Sequence, residues 1–129
     1  MASSSPKASR ILIVEDQDGP REVLATLLRP QYQVYTADTA HAALRILHQQ
    51  HVDLIIEDVG LPDLNGIDLL RELLSQYDRN AKVIMVSGAG TLQSAQDAMK
   101  LGAVAYLLKP FNIEELLVLV HDTLVRPAA

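Results

Sequence analysis

The chain has 129 residues, 49% hydrophobic and 21% charged, a balance that suits a single soluble globular domain with a proper buried core. Its formal net charge of −5, with no basic cluster, speaks against direct nucleic-acid binding. The absence of cysteine excludes disulfides and thiolate chemistry and fits a reducing cytoplasm, and no apolar run approaches the length of a membrane span.

Residues 1–10 lack the apolar centre of a secretory signal and read as a flexible leader, which leaves residues 11–126 as the domain. Ile11-Leu-Ile-Val14 is a short apolar run, as expected of a parallel strand buried on both faces. Pro20 then falls where the first turn of a helix tolerates it, with Val23, Leu24, Leu27 and Leu28 as the apolar stripe. Residues 32–37 alternate as a second strand. Thr39 is placed to cap a second helix whose stripe is Ala40, Ala43, Leu44 and Leu47. Asp53-Leu-Ile-Ile56 forms the third strand, followed by a loop over residues 59–66 and a helix facing inward through Ile67, Leu70, Leu73 and Leu74. Residues 82–86 make a fourth strand, and Leu92, Ala95, Ala98 and Met99 mark a fourth helix that Gly102 is placed to end. Residues 103–108 make the fifth strand. Asn112 opens the last helix, with Glu115 as a capping-box partner and Ile113, Leu116, Leu117, Val120 and Leu124 as its stripe.

Strands alternating with helices through short loops require right-handed crossovers and a parallel sheet between two helix layers. The expected architecture is an α/β, three-layer, doubly wound flavodoxin-like fold of five βα units with strand order 2-1-3-4-5. In such sheets ligands bind beyond the carboxyl ends of the strands, where the winding reverses. Here the first strand runs into Glu15-Asp16, the third into Glu57-Asp58, the fourth into Ser87 and the fifth into Lys109-Pro110. Any one polar residue at a strand end is unremarkable. Three carboxylates in one crevice are not, because each like-charge pair at about 4 Å costs roughly 4 kcal/mol at an effective dielectric near 20. Such a cluster calls for a cation or for protonation, and oxygen ligands with room for water suit Mg²⁺. A metal, a carboxylate, a hydroxyl and an ammonium together are the parts of a phosphoryl-transfer site.

The sequence resembles the receiver domains of bacterial two-component response regulators from residue 11 to about residue 125. The motifs that carry the resemblance are Ile-Leu-Ile-Val-Glu15-Asp16 with Arg21-Glu22 after it, and Asp53-Leu-Ile-Ile-Glu-Asp58-Val-Gly-Leu-Pro62-Asp-Leu-Asn-Gly66. Val-Ile-Met-Val-Ser87-Gly and Tyr106-Leu-Leu-Lys109-Pro110-Phe111 complete the set. The resemblance implies that Asp58 accepts a phosphoryl group from a phosphohistidine of a sensor kinase or phosphotransfer protein. It implies Mg²⁺ held by Asp16, Asp58 and the backbone carbonyl of Gly60, with Glu15 acting mainly through a metal-bound water. Lys109 and Ser87 would bind the phosphoryl group, Tyr106 would swing inward, and Pro110 would follow a cis peptide bond. Pro62 and Gly66 would shape the loop after Asp58. The surface of the fourth helix, fifth strand and fifth helix would then control an output domain, a partner protein or a phosphorylation-dependent homodimer. Gly60 and Ala89, two residues beyond Asp58 and Ser87, offer little side chain to shield the phosphoryl group, so a short-lived modification is expected.

Two other functions compete. Asp16-Gln-Asp18-Gly19 superficially resembles the nucleophile motif of haloacid-dehalogenase-like phosphatases, with Asp16 attacking and Asp18 as general acid. That family needs an acidic metal-binding motif at a strand end after the lysine, whereas Glu114 and Glu115 fall on a helix and Asp58 comes too early. A pseudo-receiver, a phosphorylation-independent interaction module, is the other; the intact Glu15, Asp16, Asp58, Ser87 and Lys109 set argues against it. The four histidines, His41, His48, His51 and His121, read as surface or helix-end residues rather than ligands.

Overall fold

A computed structural model describes residues 9–77, 82–88 and 92–125. Among these residues five strands alternate with helices: β1 (Arg10–Val14), α1 (Asp18–Leu28), β2 (Gln33–Ala37), α2 (Ala40–Gln49), β3 (Leu54–Asp58), α3 (Gly66–Glu72), β4 (Lys82–Ser87), α4 (Leu92–Leu101), β5 (Ala105–Leu108) and α5 (Ile113–Val125). The sheet is parallel throughout with order β2-β1-β3-β4-β5, the expected doubly wound arrangement. Arg10, assigned above to the leader, instead opens β1; most of the leader lies outside the described residues.

Strand alternation splits the core in two. Ile11, Ile13, Leu54, Ile56, Ile84 and Val86 face α1 and α5, where they meet Leu24, Ala25, Leu28, Leu116 and Val120. Leu12, Val14, Ile55, Val83 and Met85 face α2, α3 and α4, meeting Ala40, Ala43, Leu69, Leu70 and Ala98. The central strands are apolar on both faces because both faces are covered.

The helix ends follow local chemistry. Thr39 Oγ1 accepts from the Ala42 N–H at 3.0 Å, and Asn112 Oδ1 accepts from the Glu115 N–H at 3.0 Å. Gly102 takes φ +116° at the end of α4, and its N–H donates to the carbonyls of Ala98 and Met99.

Two expectations need correcting. Val23 and Leu27 on α1, and Leu92 and Met99 on α4, are exposed rather than core, because each helix meets the sheet along a narrower stripe than its apolar pattern suggests. The third helix does not continue uniformly: a π-helical segment, Leu73–Tyr77, follows α3, a local widening with no sequence signature. His51 lies beyond the end of α2, where its ring meets Asp53 Oδ1 at 3.0 Å.

Candidate functional site

The alternation that builds the core also aims the polar residues. Glu15 continues the Ile11–Ile13 row, Asp58 continues Leu54–Ile56, and Lys109 follows Ala105 and Leu107. All three side chains therefore leave the carboxyl edge of the sheet on the α1 side and converge. Lys109 Nζ donates to Glu15 Oε1 at 2.5 Å and to Asp58 Oδ2 at 2.9 Å. The second oxygen of Asp58 accepts from the Gly60 N–H at 2.9 Å, and Glu15 Oε2 accepts from the Gln17 N–H at 3.2 Å. Asp16 stands exposed at the rim, and oxygens of Glu15, Asp16 and Asp58 lie within 4.8 Å of one another.

The electrostatics match this crowding. Burial, together with the Asp58 charge, raises the Glu15 pKa despite the hydrogen bonds that favour its anion. Burial opposes the Lys109 charge, but its hydrogen bonds to Glu15 and Asp58 outweigh that and lift its pKa. One ammonium thus serves two buried carboxylates, and the third is unbalanced by it. An all-oxygen donor set with one exposed member fits a hard divalent cation that keeps part of its water.

The remaining expected residues fall nearby. Ser87 is buried at the end of β4, one residue beyond Val86, the register partner of Asp58. Its alternation places it with Val83 and Met85 on the α4 side of the sheet, across from the carboxylates. The Lys109 N–H donates to its carbonyl at 2.8 Å. Tyr106, half-buried on the same side, shares a hydroxyl–hydroxyl hydrogen bond of 2.7 Å with Ser94 of α4. The Lys109–Pro110 peptide is cis. Pro62 sits in the loop between β3 and α3, and Gly66 closes that loop by donating its N–H to the Val59 carbonyl at 2.8 Å. A Cβ on Gly66 would lie 2.5 Å from Val59 Cα, so only glycine fits. Ala89 lies outside the described residues.

Sequence reasoning left two participants unassigned. Arg21, quoted only as part of a motif, donates Nη1 to the carbonyls of Glu15 (3.0 Å) and Asp16 (3.5 Å), holding the turn that carries both acids. Its other nitrogen pairs with Asp18 at 2.5 Å. Asp18, the general acid a phosphatase would need, is thereby tied into the first turn of α1 with its side chain 89% exposed. Asp63, inside a motif but given no role, accepts from two N–H groups at the start of α2. An apolar cavity of about 560 Å³ opens beside the cleft, lined by Pro20, Val23, Leu24, Phe111 and Ile113 and reaching Glu15 and Lys109.

A doubly wound parallel sheet with an acidic cleft and a lysine at its carboxyl edge defines the class, and comparison with known proteins agrees. Residues 11–121 match the family model of the response regulator receiver domain, and the chain belongs to that family. It is 32% identical over 117 residues to the regulatory protein AtoC of Escherichia coli, covering 90% of this chain but 25% of AtoC. It is 34% identical over 108 residues to sporulation initiation phosphotransferase F of Bacillus subtilis, covering 83% of this chain and 86% of that protein. Among solved structures, a CheY-like receiver domain protein from Methanospirillum hungatei superposes with a TM-score of 0.85 at 32% identity, covering 90% of this chain and 93% of that one.

Proposed function

We propose that this receiver domain accepts a phosphoryl group on Asp58 from the phosphohistidine of a sensor histidine kinase or phosphotransfer protein, and signals by changing shape. The observation that carries this is the meeting of Glu15, Asp16 and Asp58 within 4.8 Å, with the Lys109 ammonium bonded to two of them. An oxygen of Asp58 attacks phosphorus in line; the P–N bond breaks and its electron pair leaves with the imidazole. Lys109, 2.9 Å from Asp58 Oδ2, shifts a hydrogen bond to a phosphoryl oxygen as charge builds there. Glu15, Asp16, Asp58 and the Gly60 carbonyl would hold Mg²⁺, which when bound neutralises the clustered carboxylates and the incoming phosphoryl oxygens. The apolar cavity between α1 and the loop entering α5 would seat an apolar helix face of the donor beside the cleft.

The switch rests on Ser87 and Tyr106. Phosphorylation turns the singly charged Asp58 carboxylate into an acyl phosphate carrying about −1.5 to −2 of charge and three strong acceptors beside β4, drawing the Ser87 hydroxyl toward them. Tyr106 is bonded to Ser94 of α4, so its inward movement is felt on the α4–β5–α5 surface. That surface would control an output domain, a partner protein or a second copy of the chain. No helix among the described residues is long and apolar enough to cross a membrane. The proposed role is signalling.

The test is intact mass after incubation with a small phosphodonor, with and without Mg²⁺. Wild type is expected to gain one phosphoryl group only with Mg²⁺, and Asp58→Asn none. A Cβ at residue 60 would sit 3.7 Å from Asp58 Oδ1, so glycine leaves that side open to water. The adduct should accordingly decay after the donor is removed. Persistence for many hours in Mg²⁺ would contradict the open site, and lasting modification at Asp16 would point to phosphatase chemistry instead.

A further inference from the structure

The loop that carries Gly60 is anchored at its base, where the Val59 N–H donates to the Val86 carbonyl at 2.9 Å. There too the Gly60 N–H meets Asp58 Oδ1 and the Gly66 N–H meets the Val59 carbonyl, while Leu61 is buried among the α2–α4 core. Its tip is tied elsewhere. Asp63 reaches the start of α2: its Oδ1 accepts from the Ala40 N–H at 2.9 Å and its Oδ2 from the His41 N–H at 3.0 Å. The same Oδ2 meets His41 Nδ1 at 2.5 Å. Ala40 and His41 are the first two residues of α2, whose N–H groups have no partner within the helix. Thr39 already caps α2 through the Ala42 N–H, so Asp63 supplies a second cap from 23 residues away. A carboxylate on two helix-start N–H groups is charge-assisted and aligned with the positive end of the helix dipole. Although partial burial works the other way, these N–H groups and the His41 ring bring the Asp63 pKa down to about 2, so it is anionic at neutral pH.

We propose that Asp63 is a positioning residue for the metal site: by docking the loop on α2 it fixes where the chain runs after Gly60, and so presents the Gly60 carbonyl to a divalent cation in the Glu15–Asp16–Asp58 cleft. The role rests on the Mg²⁺ site proposed above. It gives α2, which contributes no side chain to the cleft, a hold on one of the cleft's ligands. Groups that orient a metal ligand without touching the metal typically change affinity by about 10–100-fold when removed.

The experiment is a Mg²⁺ titration of the isotope-labelled chain followed by backbone amide shifts, including that of Gly60, for wild type, Asp63→Ala, Asp63→Asn and Thr39→Ala, each with a thermal melt. Asp63→Ala is expected to weaken Mg²⁺ binding about tenfold. Asp63→Asn, which keeps one acceptor and turns an amide donor toward an N–H, should fall between it and wild type. Thr39→Ala removes the helix's own cap but not the tie; it should lower the melting temperature and leave Mg²⁺ affinity unchanged. Equal loss of affinity in Thr39→Ala and Asp63→Ala would reduce the effect to helix stability and overturn the proposal. So would wild-type affinity in Asp63→Ala, or in Asp63→Asn should the alanine variant fail to fold. If wild type itself binds no Mg²⁺, the metal site fails and this role fails with it.

Discussion

Glu57 and Asp58 are consecutive carboxylates on β3, and backbone alternation sends them to opposite faces of the sheet. Asp58 reaches the cleft. Glu57 takes its place in a row that runs Ala37, Val14, Glu57, Met85, Tyr106 across the five strands, under α2, α3 and α4. It is fully buried, and neither carboxyl oxygen has a hydrogen-bond partner among the described residues. Burial first, and the Asp58 charge second, push its pKa well above the ordinary 4.5. With the folded-state pKa raised, Glu57's contribution to stability is complete below about pH 4.5 and is lost as pH rises through the folded-state pKa. Denaturant unfolding across pH should show wild type losing stability relative to Glu57→Gln above about pH 4.5. Glu57→Met, which keeps the volume and removes the unpaired oxygens, should gain about 1–3 kcal/mol at pH 7. A destabilised methionine variant would mean that the carboxyl has a partner after all. Reading Glu57-Asp58 as a pair at a strand end obscured this; counting the strand's two-residue period would have separated them.

At the scale of elements, strands and loops were more legible than helix faces. Parallel strands buried on both sides announce themselves as apolar runs, so β1, β3 and β4 fell within a residue or two of their observed bounds. The polar residues at the ends of β1, β3 and β4, and after β5, are Glu15, Asp58, Ser87 and Lys109. Helical stripes were overread. Leu92 is 76% exposed and Val23 54%, since periodicity reports an apolar face but not how much of it a neighbouring layer covers. The ties that hold the cleft were not legible, because Asp63 to α2 and Arg21 to the acidic turn are side-chain-to-backbone bonds that leave no spacing rule in the sequence. Gly66 is the reverse case, placed by motif and explained by contact. A methyl group there would stand 2.5 Å from Val59 Cα and 2.8 Å from the Asp58 carbonyl, so the loop must open to admit it. Gly66→Ala should cost about 1–3 kcal/mol in denaturant unfolding and slow phosphorylation of Asp58. Wild-type stability in that variant would show that the loop is looser than its packing implies.

For the whole molecule, the decisive feature is that one edge of the sheet collects what the rest of the fold holds rigid. β1 supplies the acids that precede α1, β3 the carboxylate, β4 the hydroxyl and β5 the lysine, and the parallel winding leaves all of them at strand carboxyl ends. Tyr106 packs on the α4 side of the sheet, where its hydroxyl meets Ser94, and under the proposed function a charge placed on Asp58 is read there. The proposed signal passes through the covalent modification of one residue. Hydride reduction of an acyl phosphate gives an alcohol, so borohydride treatment turns a phosphorylated aspartate into homoserine. The chain is to be phosphorylated with a small phosphodonor and Mg²⁺, reduced, digested and sequenced by mass spectrometry. The expected result is homoserine at position 58 and nowhere else; homoserine at position 16, or at no position while wild type stays folded, would contradict the account.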